Sequence, residues 1–109
     1  MPSYSKHDVI LVWYPFSDLS SSKVRPAAVV SALHPSQDIL ITPLTSKTSF
    51  LLPGEFVLAE WAAAGLNVAT AVKRGVYTVH EGLVIKVSGQ LAKDDVDRLD
   101  QSLRDWLGL

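Results

Sequence analysis

The hydrophobic period of this chain changes once, near residue 92, and that change constrains the fold more than any other feature. Before it, apolar residues come in short β-branched and aromatic runs broken by proline, glycine and polar clusters. After it, Val96, Leu99, Leu103 and Trp106 fall three, seven and ten residues apart, which places them on one helical stripe. Strands followed by a single terminal helix leave few architectures at 109 residues. A small closed or half-closed barrel is the natural one, because it removes exposed strand edges.

The strands can be placed from local chemistry. Residues 9–14 read VILVWY, a run suited to a strand buried on both faces, which puts Trp13 and Tyr14 in the core. Pro15 ends it, and residues 17–23 form a polar loop rich in serine. Arg25-Pro26 opens a second strand over residues 27–33, since proline is tolerated at a strand start or edge. A turn at residues 34–38 leads to a third strand over 39–44. Residues 45–49 make another polar loop, and Pro53-Gly54 signals a turn before a short strand at 55–58. Residues 60–64 suit one helical turn stopped by Gly65. Residues 67–73 read as a strand, and 76–79 and 83–87 as short apolar runs around Gly82. The terminal helix spans about 94–107, with Asp94 as its N-cap and Gly108 as its stop. The domain is read as one unit of 1–109, with the barrel over about 8–91.

Composition narrows the function classes. With 48% hydrophobic and 19% charged residues the chain is a folded globular domain. It has no cysteine, so disulfides and thiolate metal sites are excluded. No apolar run approaches the ~20 residues that cross a bilayer, and MPSYSKHDV lacks a signal-peptide core. A cytoplasmic protein without membrane contact is the expectation. The net charge of −1 is not that of a typical nucleic-acid binder, but it is unevenly spread. Residues 92–109 carry three cations against five acids. Residues 1–91 carry seven cations against six acids, enough for a local basic groove. His7, His34 and His80 lack metal-ligand spacing, no Gly-rich phosphate loop or nucleophile elbow is present, and no cofactor is expected.

Three segments in order then carry a resemblance. They are HDVILVWYPFSDLSSSKVRPAAVV, then ILITPLTSK, then AAGLNVATAVKRG followed by VSGQLAKDDVDRL. Together they resemble the MazF/PemK toxin family of type II toxin–antitoxin systems, along nearly the whole chain. The resemblance implies an SH3-like barrel with a C-terminal α-helix, usually a homodimer. It implies a metal-independent endoribonuclease acting on single-stranded RNA, often mRNA, and a cognate antitoxin protein that occupies the RNA groove.

By that resemblance Arg25 matches the family's catalytic arginine and Thr45 its threonine at a strand-to-loop corner. Metal-free RNA cleavage uses the RNA 2′-hydroxyl as nucleophile, and stabilising charge on the phosphorane is usually the largest contribution. A guanidinium suits this because its planar fork binds two phosphate oxygens and stays protonated, so it is no ready base. Thr45 would donate its hydroxyl to a phosphate oxygen. Lys23, Ser46, Lys47, Lys73 and Arg74 are the further candidates for RNA binding, although strand alternation lets only one of Lys73 and Arg74 face the groove. Phe16 is the candidate for stacking an unpaired base. Asp18, the carboxylate of the 17–23 loop, joins the RNA-binding set and is the candidate base. Two positions depart from the family: that loop holds no histidine, and Gly75 stands where many members have aspartate. The second reading is therefore a barrel that binds RNA or a protein target without cleaving, including a toxin that poisons DNA gyrase.

Overall fold

A computed structural model describes residues 5–14, 23–32 and 34–109 of the chain. Seven strands form one mainly antiparallel sheet: β1 (Asp8–Tyr14), β2 (Lys23–Val29), β3 (Asp38–Thr45), β4 (Phe56–Val57), β5 (Ala71–Val72), β6 (Tyr77–His80) and β7 (Val84–Gln90). A 3₁₀ turn (Glu81–Leu83) joins β6 to β7, and α1 (Lys93–Leu107) closes the chain. Hydrogen bonding runs β4-β5-β3-β2-β1-β7, with β6 also pairing β3. This is the small β-barrel architecture with one terminal helix.

Strand β3 pairs with β2 along one edge and divides its other edge between two further strands. Its first half, from Asp38 to Ile41, pairs with β6, while Leu44 and Thr45 pair with β5. Pro43 sits at the changeover, where the lack of a backbone N–H costs least. Its carbonyl still accepts from Lys73 N–H at 2.9 Å.

The core has two parts because β1 to β3 are covered on both faces. Ile10, Val12, Ala27, Val29, Ile39, Ile41 and Val79 fill one side. Val9, Ala28, Leu44, Phe56, Leu58, Val72 and Leu99 fill the other, beneath α1. Consecutive residues of β1 thus enter opposite clusters, as a double-faced strand requires. Trp13 departs from the expected core position: it is 41% exposed, paired with Val24, itself 40% exposed, near the open end of β1 and β2. The side chain of Tyr14 lies outside the described residues. The second strand stops at Val29 rather than reaching 33. The 67–73 strand shortens to Ala71–Val72; Thr70 adds one bond in the same register, its carbonyl accepting from Leu58 N–H, while its hydroxyl donates to Val68 O.

Helix α1 forms on the expected stripe. Leu99 is fully buried, and Val96, Leu103 and Trp106 pack half-buried against the same cluster, as does Trp61. The cap differs from expectation. Ala92 is the N-cap and makes no side-chain capping bond, and Asp94 and Asp95 lie in the first turn, where negative charge suits the helix dipole. Asp95 is fully buried, and its two oxygens accept from Ala59 N–H (2.8 Å) and Glu60 N–H (3.0 Å). At the far end Gly108 takes the left-handed conformation, φ 72°. Between these ends, Ser102 Oγ donates to Gly54 O (2.7 Å) and Trp106 Nε1 to Pro53 O (3.1 Å). The helix thereby holds the base of the loop over residues 46–55.

Among the described residues no helix is long and apolar enough to cross a membrane.

Candidate nucleic-acid interface

The two leading candidates lie on neighbouring strands, β2 and β3. β2 and β3 pair antiparallel through Val29↔Ile41, Ala28↔Thr42 and Ala27↔Pro43. The ladder ends at Ala27↔Pro43, and Arg25 and Thr45 each lie two residues beyond that last pair. Side-chain alternation puts both on the sheet face that carries Ala27, Val29 and Ile41, beyond the end of that buried cluster. Arg25 is exposed and also lies across from Val12 of β1. Lys23, two residues earlier, shares its face and is exposed.

Thr45 ends β3, half-buried, and pairs with Ala71 of β5. Its Oγ1 accepts from Lys47 N–H at 3.1 Å, which fixes the start of the loop. Accepting that bond leaves the hydroxyl hydrogen available to donate. Lys73 lies two residues beyond Ala71. An open groove of about 280 Å³ is lined by Thr45, Lys47, Lys73, Phe50, Leu52 and Glu55, among others. Of Lys73 and Arg74, Lys73 lines the groove. Arg74 is exposed outside that lining, with its backbone N–H bound to Glu55 Oε2 at 2.9 Å. Ser46 is exposed and also outside it. Phe16 and Asp18 lie outside the described residues.

A slightly larger cavity of about 330 Å³ lies at the other end of β3, near Asp38, His34 and Ser36. It contains no lysine or arginine and does contain a carboxylate, so charge disfavours it for an anionic ligand. His34 and His80 are exposed. His7 is half-buried and bonds Asp100 through Nε2 at 3.0 Å. Among the described residues no group of three or more histidine, aspartate or glutamate side chains is placed to hold a metal.

Two groove residues were not singled out from the sequence. Glu55 joins the two sides of the groove: Oε1 accepts from Leu52 N–H (2.7 Å) and Oε2 from Arg74 N–H. Phe50 is 99% exposed with φ 59°. The available signal was a phenylalanine between a Thr-Ser run and Pro-Gly, where polar residues are the rule. Gly75 has φ 147°, and a Cβ there would sit 2.7 Å from the Tyr77 ring. A side chain at position 75 would therefore be strained.

A barrel of this topology, with a basic groove at one end of β3, is the class of fold found in small toxin ribonucleases. Residues 5–107 match the family described as PemK-like, MazF-like toxin of type II toxin-antitoxin system, and the chain belongs to that family. No curated protein matches it. Among solved structures it is similar to MazF from Deinococcus radiodurans (form I), with 17% identity, all of both chains covered and a TM-score of 0.79. It is similar to an endoribonuclease in complex with its cognate antitoxin from a mycobacterial species, with 18% identity, 100% and 97% coverage of this and that chain, and a TM-score of 0.72. It is also similar to the Mycobacterium tuberculosis toxin MazF-mt6, with 16% identity, 94% and 97% coverage, and a TM-score of 0.72.

Proposed function

We propose that this chain is an endoribonuclease toxin that cleaves single-stranded RNA, mRNA included, by attack of the RNA's own 2′-hydroxyl, and that a cognate antitoxin restrains it. The observation that carries the reading is the groove in which Thr45 stands with Lys47 and Lys73, and the exposed Arg25 on β2, the strand that pairs with β3, supports it. Family membership and the endoribonucleases among the structural relatives support it.

In this reading Arg25 binds two non-bridging phosphate oxygens and offsets the charge that builds on the phosphorane. Thr45 donates its hydroxyl to the same phosphate. Lys47 and Lys73 hold neighbouring phosphates as point charges, which makes binding fall steeply with salt. The nucleophile belongs to the substrate, so the chemistry needs no metal. The toxin acts in the cytoplasm as a homodimer, and the antitoxin covers the basic groove.

The test is incubation with mixed-sequence single-stranded RNA in EDTA, beside Arg25→Ala and Thr45→Ala. Cleavage giving 2′,3′-cyclic phosphate ends, lost in Arg25→Ala, is the expected outcome. A folded wild-type protein that cleaves no sequence overturns the reading and favours a binding-only barrel.

A further inference from the structure

The loop after Thr45 holds a residue whose position internal packing does not explain. Phe50 is 99% exposed, so its ring gains almost no contact with the rest of the protein. Phenylalanine is among the residues most often buried. Its backbone also sits at φ 59°, in the left-handed region that bulky side chains rarely adopt. Both costs fall on one side chain.

The loop beneath it is well anchored. Glu55 bonds Leu52 N–H on one side and Arg74 N–H on the other. Ser102 and Trp106 of α1 bind the carbonyls of Gly54 and Pro53. The framework therefore projects the ring outward from a fixed base. The ring shares a groove with two lysines, Lys47 and Lys73, and with Thr45. A flat apolar face beside two ammonium groups matches the two halves of an unpaired nucleotide: a base to stack and a phosphate to neutralise.

We infer that Phe50 is a stacking platform for one unpaired RNA base, seated next to the phosphates held by Lys47 and Lys73. The inference rests on the ribonuclease reading and adds a residue that positions the substrate. Stacking accepts any base, so Phe50 contributes affinity and register along the strand more than base identity.

The experiment uses a sequence that the wild-type protein cleaves, made as a non-cleavable 2′-O-methyl RNA, and a set of the same RNAs with one abasic position each. Phe50→Ala weakens binding of the intact RNA roughly 5- to 100-fold, and Phe50→Trp restores it. One abasic position weakens wild-type binding by a similar factor, and it weakens Phe50→Ala binding no further, because residue and base act as a pair. Unchanged affinity in Phe50→Ala, or losses that simply add across all abasic positions, overturns the platform. In either case cleavage that still depends on Arg25 leaves the ribonuclease reading standing. A wild-type protein that cleaves no RNA sinks both. Phe50→Ala that binds RNA normally but loses a protein inhibitor assigns the ring to a protein contact instead.

Discussion

Gly89 of β7 lies against the carbonyl group of Ala64 so closely that a Cβ at position 89 would stand 2.5 Å from the Ala64 oxygen and 2.6 Å from its carbon. Gly65, with φ 82°, faces the Ser88 carbonyl in the same way. The turn over residues 59–65 therefore packs on β7 backbone to backbone. Rigid main chain on both sides leaves a methyl group nowhere to go. Gly89→Ala is expected to destabilise the fold by about 1–3 kcal/mol. Urea denaturation measures it, and an unchanged midpoint would mean that the contact is looser than described.

The same turn is tied to α1 by a buried charge. Asp95 is fully buried and accepts from Ala59 N–H and Glu60 N–H through its two oxygens. In Asp95→Asn one oxygen remains, and the amide NH₂ confronts a backbone donor. Hydrogen bonds to charged groups contribute about 1.5–3 kcal/mol, so a loss of that order is expected. Amide hydrogen exchange at Ala59 and Glu60 should accelerate along with it. Protection equal to wild type at both amides would contradict the assignment.

These two contacts show what the sequence made legible and what it hid. The helical stripe from Val96 to Trp106 was readable because four apolar residues on one face have few alternatives. The strand run at residues 9–12 was readable for the same reason, and Val9 and Ile10 do enter opposite cores. Trp13 is exposed although the apolar run suggests a core position, because burial of a strand end depends on what covers it, not on its own hydrophobicity. The helix starts at Lys93, one residue earlier than the cap preference of Asp94 suggests, so Ala92 is the N-cap and Asp94 lies in the first turn. Of the site, Arg25 and Thr45 come from resemblance alone, and the β2–β3 ladder ends two residues short of both. Glu55 and Phe50 were missed because a loop has no period to read. Their roles come from partners 19 residues away at Arg74 and from exposure.

Gly75 bears on how far the family's chemistry can be restored here. Its φ of 147° is a conformation reached almost only by glycine, and the Tyr77 ring fills the place of a side chain. Gly75→Asp is expected to cost about 1–3 kcal/mol through backbone strain and to give no gain in cleavage rate. Thermal denaturation and single-turnover kinetics check the two halves. A stable variant with faster cleavage would show that the backbone accepts aspartate and that the carboxylate is used.

Phe50 should separate stability from function. Glycine relieves the strain of φ 59°, and almost no buried surface is lost, since the ring is exposed. Phe50→Gly is expected to leave stability unchanged or raise it by about 1 kcal/mol, while cleavage slows at low RNA concentration. A loss of stability instead would show that the ring supports the loop.

Thr45 offers the sharpest test of the proposed chemistry, because its hydroxyl has two separable duties. The oxygen accepts from Lys47 N–H at 3.1 Å and orders the turn, and in the proposed chemistry the hydrogen is donated to a phosphate oxygen. Thr45→Ser keeps both and should retain most activity. Thr45→Val keeps the shape and removes both. Losing the turn bond alone costs about 1 kcal/mol of stability. Losing a donor to the transition state lowers kcat by about 10²- to 10³-fold. The two effects differ in where they show: the first in the denaturation midpoint and in KM, the second in kcat with RNA saturating. A Thr45→Val variant with reduced stability but wild-type kcat would confine Thr45 to the turn, and would leave Arg25 to stabilise the phosphorane without it.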